Sequence, residues 1–182
     1  MALAPNPQQV LILLLQRAHA GELAAARAYQ GHAASWWARR ERTEIAQIEA
    51  DEWHHRRQVA DMLAELKSAP VRWREVLLWS IGTSIGLLCH IGGWLIPMYG
   101  AGKLEHDNYH EYQTAVELAL QANLPHMAEA LLHMSETEWD HEQWFRQQVL
   151  KHPLGRFMPL WKTLPARHHL REQYQKLLVK YI

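Results

Sequence analysis

Two tetrapeptides, Glu52-Trp53-His54-His55 and Glu138-Trp139-Asp140-His141, constrain this chain more than anything else in it. Both read Glu-x-x-His, with Trp in the second slot. On an α-helix, residues three apart share a face, so each copy aims a carboxylate and an imidazole in one direction. The flanking residues give that direction. Ile45, Ile48, Glu52, His55, Val59, Met62 and Leu66 fall on 3-4 spacing, and Met127, Leu131, Met134, Glu138, His141, Phe145 and Val149 nearly repeat it. Such stripes face a core. An ionised carboxylate buried there costs on the order of several kcal/mol unless it is paired or binds a metal. Two copies in register with the core predict a shared partner between them, rather than two separate buried Glu–His ion pairs.

The 182 residues suit one domain with a full core, and 48% are hydrophobic, which excludes a disordered chain. Nineteen basic residues balance nineteen acidic ones, so the basic footprint that nucleic acid requires is missing. The single cysteine, Cys89, rules out an intramolecular disulfide and a thiolate cluster for zinc or iron–sulfur. The short apolar run 10–15 has no positive flank, and the amino terminus does not read as a signal peptide.

In chain order, Pro5 and Pro7 precede a helix expected from about Gln8 to the region of Trp37–Arg40. Its inward stripe is Leu11, Leu15, Ala18, Glu22, Ala25 and Tyr29. Alone, Glu22 would read as a solvated charge. It lies 30 residues before Glu52, enough for a helix, a turn and a return, and so reads as a ligand. A second helix is expected from about Glu41 to Lys67, stopped by Ser68-Ala69-Pro70. His54 lies about 100° round from His55 and faces a neighbour or solvent.

The third stretch differs in kind. Residues 76–102 contain no Asp, Glu, Lys or Arg, and residues 76–96 alone could cross a bilayer by length. Gly82, Gly86, Gly92 and Gly93 interrupt it, and Pro97 is expected to end or kink it. Gly82 and Gly86 have the spacing that lets helices pack closely. A buried core helix, a transmembrane span and a helix lying in a membrane interface all compete here. A single span would put the two Glu-x-x-His copies on opposite sides of the bilayer. The favoured reading is therefore a helix that packs on the bundle and offers an apolar face to membrane or to a greasy substrate.

A fourth helix, from about Met98 or Gly102 to Ala122, carries two inward candidates. Glu105 shares a face with Ala101, Asn108, Tyr112, Ala115 and Ala119; Glu111 shares one with Leu104, Ala115 and Leu118. Pattern barely separates them, although Glu105 precedes Glu138 by 33 residues, close to the interval between Glu22 and Glu52. The fifth helix is expected from about Pro125 to Lys151. A loop rich in proline and a covering helix from about Ala166 to Ile182 follow, with Leu170, Tyr174, Leu177, Leu178 and Tyr181 inward and His168 and His169 solvated.

A Glu helix followed by a Glu-x-x-His helix, twice over, is the ferritin-like arrangement. The expected fold is all-α: a ferritin-like four-helix bundle over about residues 8–150, with an additional apolar helix and a C-terminal helix, in one domain over residues 1–182. The proposed metal ligands are Glu22, Glu52, His55, Glu105, Glu138 and His141. Four carboxylates neutralise two divalent ions, and an oxygen and imidazole set without thiolate suits iron or manganese. Two ferrous ions together can give dioxygen two electrons, the usual start for hydroxylation, desaturation or iron oxidation.

The stretch His19-Ala20-Gly21-Glu22, followed by Ala25, Ala28, Tyr29 and Gly31, resembles the first-helix signature of the demethoxyubiquinone hydroxylases. The resemblance continues through Glu52-x-x-His55, the apolar stretch with Leu78-Trp79 near its start, Glu105 with His110 and Tyr112 downstream, and Glu138-x-x-His141. It covers about residues 15–150 and favours Glu105 over Glu111 as ligand. It implies a peripheral membrane di-iron monooxygenase of ubiquinone biosynthesis, hydroxylating the ring of a polyprenylated quinol with dioxygen and electrons from NADH. It also implies Tyr112 as a catalytic side chain. In a bacterial cell the expected place is the cytoplasmic side of the inner membrane. The expected partners are the quinol, the membrane surface through residues 76–102, and a second copy or a lipid-binding protein. The chain departs from the family pattern at Ala18, where Asp is expected, at Glu111, where His is expected, and at His32, where Gln is expected; Trp53 and Trp139 are also unusual. These changes spare the ligands and leave room for a paralogue with another substrate.

Two other functions compete. A ferritin-like or rubrerythrin-like iron or peroxide handler would have no need of the charge-free stretch. A hydroxylase acting on tRNA would want a basic groove, which the zero net charge does not support.

Overall fold

The computed structural model describes residues 6–182 and is all-α, with no strand among the described residues. Six helices follow in order: α1 (Pro7–Ala34), α2 (Arg42–Glu65), α3 (Arg72–Leu88), α4 (Leu95–Gln121), α5 (Pro125–Lys151) and α6 (His168–Tyr181). A short 3-10 turn, Gly155–Phe157, lies between the last two. Two long helices, an apolar helix, two more long helices and a C-terminal helix match the element order expected of a ferritin-like bundle. The chain divides into two compact units. One is Ile12–Pro97; the other is Met98–Ile182 together with the described residues up to Leu11.

In the Ile12–Pro97 unit the expected stripes are inward. Leu15, Ala18, Glu22, Ala25 and Tyr29 of α1 are buried, as are Ile45, Ile48, Glu52, His55, Val59 and Met62 of α2 and Leu66 just beyond it. α1 stops at Ala34, short of the expected Trp37–Arg40 region, although no Gly or Pro marks the place. Side chains do the stopping. The Ser35 hydroxyl accepts from the Trp37 amide and donates to the Cys89 carbonyl, while Arg42 Nε donates to the Ala33 carbonyl at 2.8 Å. These bonds satisfy groups that a helix end leaves open. At the other end of α2, Lys67 takes a left-handed conformation (φ 54°). The Ser68 amide then reaches back to the Leu63 carbonyl and the Lys67 amide to that of Ala64, a Schellman closure.

α3 begins at Arg72, before the charge-free run, and is 17 residues long. No described helix is long and apolar enough to cross a membrane, so the transmembrane reading fails. The buried-helix reading fails as well. Gly82 and Gly86 turn inward against α1: a Cβ on Gly82 would lie 2.6 Å from Ala24 Cα, and one on Gly86 would lie 2.9 Å from the Arg27 carbonyl oxygen. The other side is open, with Val76, Leu77, Ile81, Ile85, Leu87 and Leu88 all exposed. Gly92 and Gly93, the latter at φ 72°, make the turn that follows. Pro97 neither ends nor kinks a helix. It sits in the first turn of α4, where its missing N–H has no partner to lose.

In the Met98–Ile182 unit, Tyr112, Phe145, Met98, Leu120, Met127, Leu131, Leu132 and Met134 form a fully buried core. α4 closes through Asn123 (φ 59°), with the Leu124 amide on the Ala119 carbonyl. α6 buries Leu170 and Tyr174, leaves Leu177, Leu178 and Tyr181 half-buried, and exposes His168 and His169. Arg171 of α6 grips the buried Glu136 carboxylate through two nitrogens, each at 2.7 Å.

Candidate metal centre

Each unit carries one set of three buried side chains that could ligate a metal ion. In the Ile12–Pro97 unit, Glu22 comes from α1 and Glu52 and His55 from α2. Each offers a ligand atom within 4.8 Å of the others, a spacing one metal ion can bridge. All three are buried, with Glu52 at 0% exposure. In the Met98–Ile182 unit, Glu105 comes from α4 and Glu138 and His141 from α5, again with ligand atoms within 4.8 Å of one another. Glu105 and Glu138 are also at 0% exposure. Each set is therefore two carboxylates and one imidazole. Helix periodicity explains the match: in both, the Glu-x-x-His helix turns its i and i+3 positions inward, and the preceding helix adds one more carboxylate.

The donor chemistry fits a divalent first-row ion. Two carboxylates neutralise one M²⁺, imidazole suits iron, manganese or zinc, and no thiolate is present. Carboxylates in a dry interior need such a charge, because hydration is not there to hold them ionised.

Among the other predicted site residues, Tyr112 is buried, seven residues and two turns beyond Glu105 on α4. Glu111 is only half-buried, and Leu104 on its face is 39% exposed. Burial thus separates Glu105 from Glu111 where periodicity does not. His54 is exposed and takes no place in the ligand set.

Some polar groups around the ligands are not apparent from helix pattern. In the Ile12–Pro97 unit, His19 Nδ1 lies 2.8 Å from Glu75 Oε1, and Arg56 pairs with the other oxygen of Glu75 at 2.7 Å. Arg56 also donates to the His19 carbonyl at 2.7 Å. Burial lowers the pKa of His19, opposed by its bond to Glu75. Ten residues beyond Glu22 on α1, away from the ligands, the pKa of His32 is pushed down to about 4 by burial. In the Met98–Ile182 unit, Glu142, next to His141, is fully buried and accepts two bonds from Arg146. It also accepts from the Trp161 indole N–H, and Arg146 donates on to the Trp161 and Lys162 carbonyls. Glu142 and Arg146 are four apart on the buried side of α5, a spacing that was a readable sign of an internal ion pair. Their partner Trp161 was not readable, since it lies in a loop.

No curated protein matches the chain, and no solved structure does. The family described as ubiquinone biosynthesis protein COQ7 matches over residues 10–106, a span that takes in Glu22, Glu52, His55 and Glu105. With just over half of its length matched, the chain belongs to the COQ7 family of ubiquinone biosynthesis proteins.

Proposed function

We propose that this protein is a di-iron, dioxygen-dependent monooxygenase. In this reading it hydroxylates the ring of a membrane-dissolved quinol, such as demethoxyubiquinol, with electrons derived from NADH. The observation that carries the reading is the pair of equivalent buried ligand sets, Glu22/Glu52/His55 and Glu105/Glu138/His141. In this reading each set would hold one iron ion, with manganese as the substitute the donors also suit. Glu22, Glu52 and His55 would ligate one ion, and Glu105, Glu138 and His141 the other. When bound, the pair supplies the electrons that activate dioxygen. The chain would supply the rest: buried carboxylates that set the charge, an apolar surround that excludes water, and the buried phenol of Tyr112 as a proton donor.

The family and the open apolar side of α3 support this substrate class. The outward side chains of α3 are almost all apolar, and its serine hydroxyls are turned back onto their own helix, Ser80 onto the Val76 carbonyl and Ser84 onto that of Ser80. Such a surface suits the boundary of a bilayer. α3 thus docks the protein on the cytoplasmic side of the inner membrane as a peripheral enzyme. A second copy or a lipid-binding protein covers the same face when it leaves the lipid. An iron or peroxide handler would have no use for this face.

Two measurements test the proposal. Flotation with vesicles, followed by organic extraction, should recover a polyprenylated quinone with the protein. Iron-loaded protein given a reductant, demethoxyubiquinol and ¹⁸O₂ should place one labelled oxygen on the ring. Iron oxidation without labelled product would support the iron-handling reading instead.

A further inference from the structure

We infer that Glu75 is a positioning residue, one that fixes the α1–α2 metal ligands from α3. The inference rests on the metal-centre reading above. Glu75 sits in the first turn of α3 and is reached by side chains from two other helices. A carboxylate only accepts hydrogen bonds, so the 2.8 Å contact fixes His19 as the tautomer with hydrogen on Nδ1. His19 is one turn before Glu22 on α1, close enough that the charge of Glu22 acts on it. Arg56, the residue after His55, is held at 2.7 Å on the second oxygen of Glu75 and at 2.7 Å on the His19 carbonyl. Three helices therefore meet at one carboxylate, and the two that supply Glu22, Glu52 and His55 are tied at neighbouring residues.

The other ties among these helices lie away from the ligands: Ser35 and Trp37, just past α1, donate to the Cys89 and His90 carbonyls just past α3, and Arg42 of α2 donates to the Ala33 carbonyl of α1. Gly82 and Gly86 meet α1 at Ala24, Arg27 and Gly31, beyond Glu22, and these are close backbone approaches rather than side-chain bonds. Gln16 ties α1 to Ser68 and Ala69 on the far side of His19, in the connection between α2 and α3. Between them, Glu75 is the polar bond at the level of the ligands. Metal ligation tolerates errors of only a few tenths of an ångström, so a loosened offset between α1 and α2 weakens one ion more than the other.

The test is cobalt(II) titration of the full chain, followed by visible absorption, with circular dichroism as the folding control. The unaltered protein binds two cobalt ions. Glu75→Ala should keep its helical content and one ion, while the affinity for the second falls more than tenfold. Glu75→Gln keeps an acceptor for His19 but loses the ion pair with Arg56, and should weaken the second ion three- to tenfold. If Glu75→Ala does not fold, the Glu75→Gln result decides. Unchanged second-ion affinity in either folded variant, or equal weakening of both ions, overturns the inference. Fewer than two cobalt ions in the unaltered protein would instead sink the two-metal reading beneath it.

Discussion

Gly31 of α1 and Gly86 of α3 meet backbone to backbone: a Cβ on Gly31 would fall 2.5 Å from the Gly86 carbonyl carbon. No side chain fits there without moving a helix. Gly31→Ala should therefore destabilise by about 2–3 kcal/mol, a fall of roughly 5–10 °C in Tm. Thermal unfolding followed by circular dichroism checks this, and a Tm within a degree of the parent would show that the approach is not tight. Gly21 and Gly100, where a Cβ meets nothing within 4 Å, serve as controls that should tolerate Ala.

His32 makes stability depend on pH. Burial lowers its pKa from 6.5 to about 4 in the folded chain. Between those values the unfolded chain binds a proton that the native state refuses. Stability is thus intact above pH 6.5 and falls as the pH drops towards 4, by about 3 kcal/mol in all. Denaturant unfolding of His32→Gln between pH 7 and pH 4.5 should show a shallower loss than the parent. An identical slope would mean that His32 is protonated in the native state.

α3 offers Leu87 at 67% and Leu88 at 56% exposure. A lysine at Leu87 or Leu88 removes little packing, so Leu88→Lys should fold normally. It should no longer float with vesicles, because a charge must be dehydrated to enter the apolar boundary. Unfolding of the variant would show that this face is covered, and undiminished flotation would show that it does not meet lipid.

Much of this molecule was legible before its coordinates. Ile45 to Leu66 and Met127 to Val149 are inward as the 3-4 spacing predicts, because burial of an amphipathic helix is a local property. Glu105 against Glu111 was not decided by pattern, since both stripes contain Ala115 and the difference rests on how deep the neighbours sit. Helix ends were the weaker part. α1 stops at Ala34 because Ser35 and Arg42 cap it from outside the helix, and those bonds reach Cys89 and Ala33. Pro97 reads as a breaker unless the helix is known to start just before it. The bond between His19 and Glu75 joins residues 56 apart, and no periodicity announces a partner at that distance.

The most direct test of the account is the iron content of protein purified without chelator, compared with that of Glu138→Ala. The buried sets Glu22/Glu52/His55 and Glu105/Glu138/His141 predict two iron ions per chain in the parent, and at least a tenfold loss of affinity for one or both in the variant. A parent that binds no metal, or a folded Glu138→Ala that holds two ions as tightly as the parent, would contradict it.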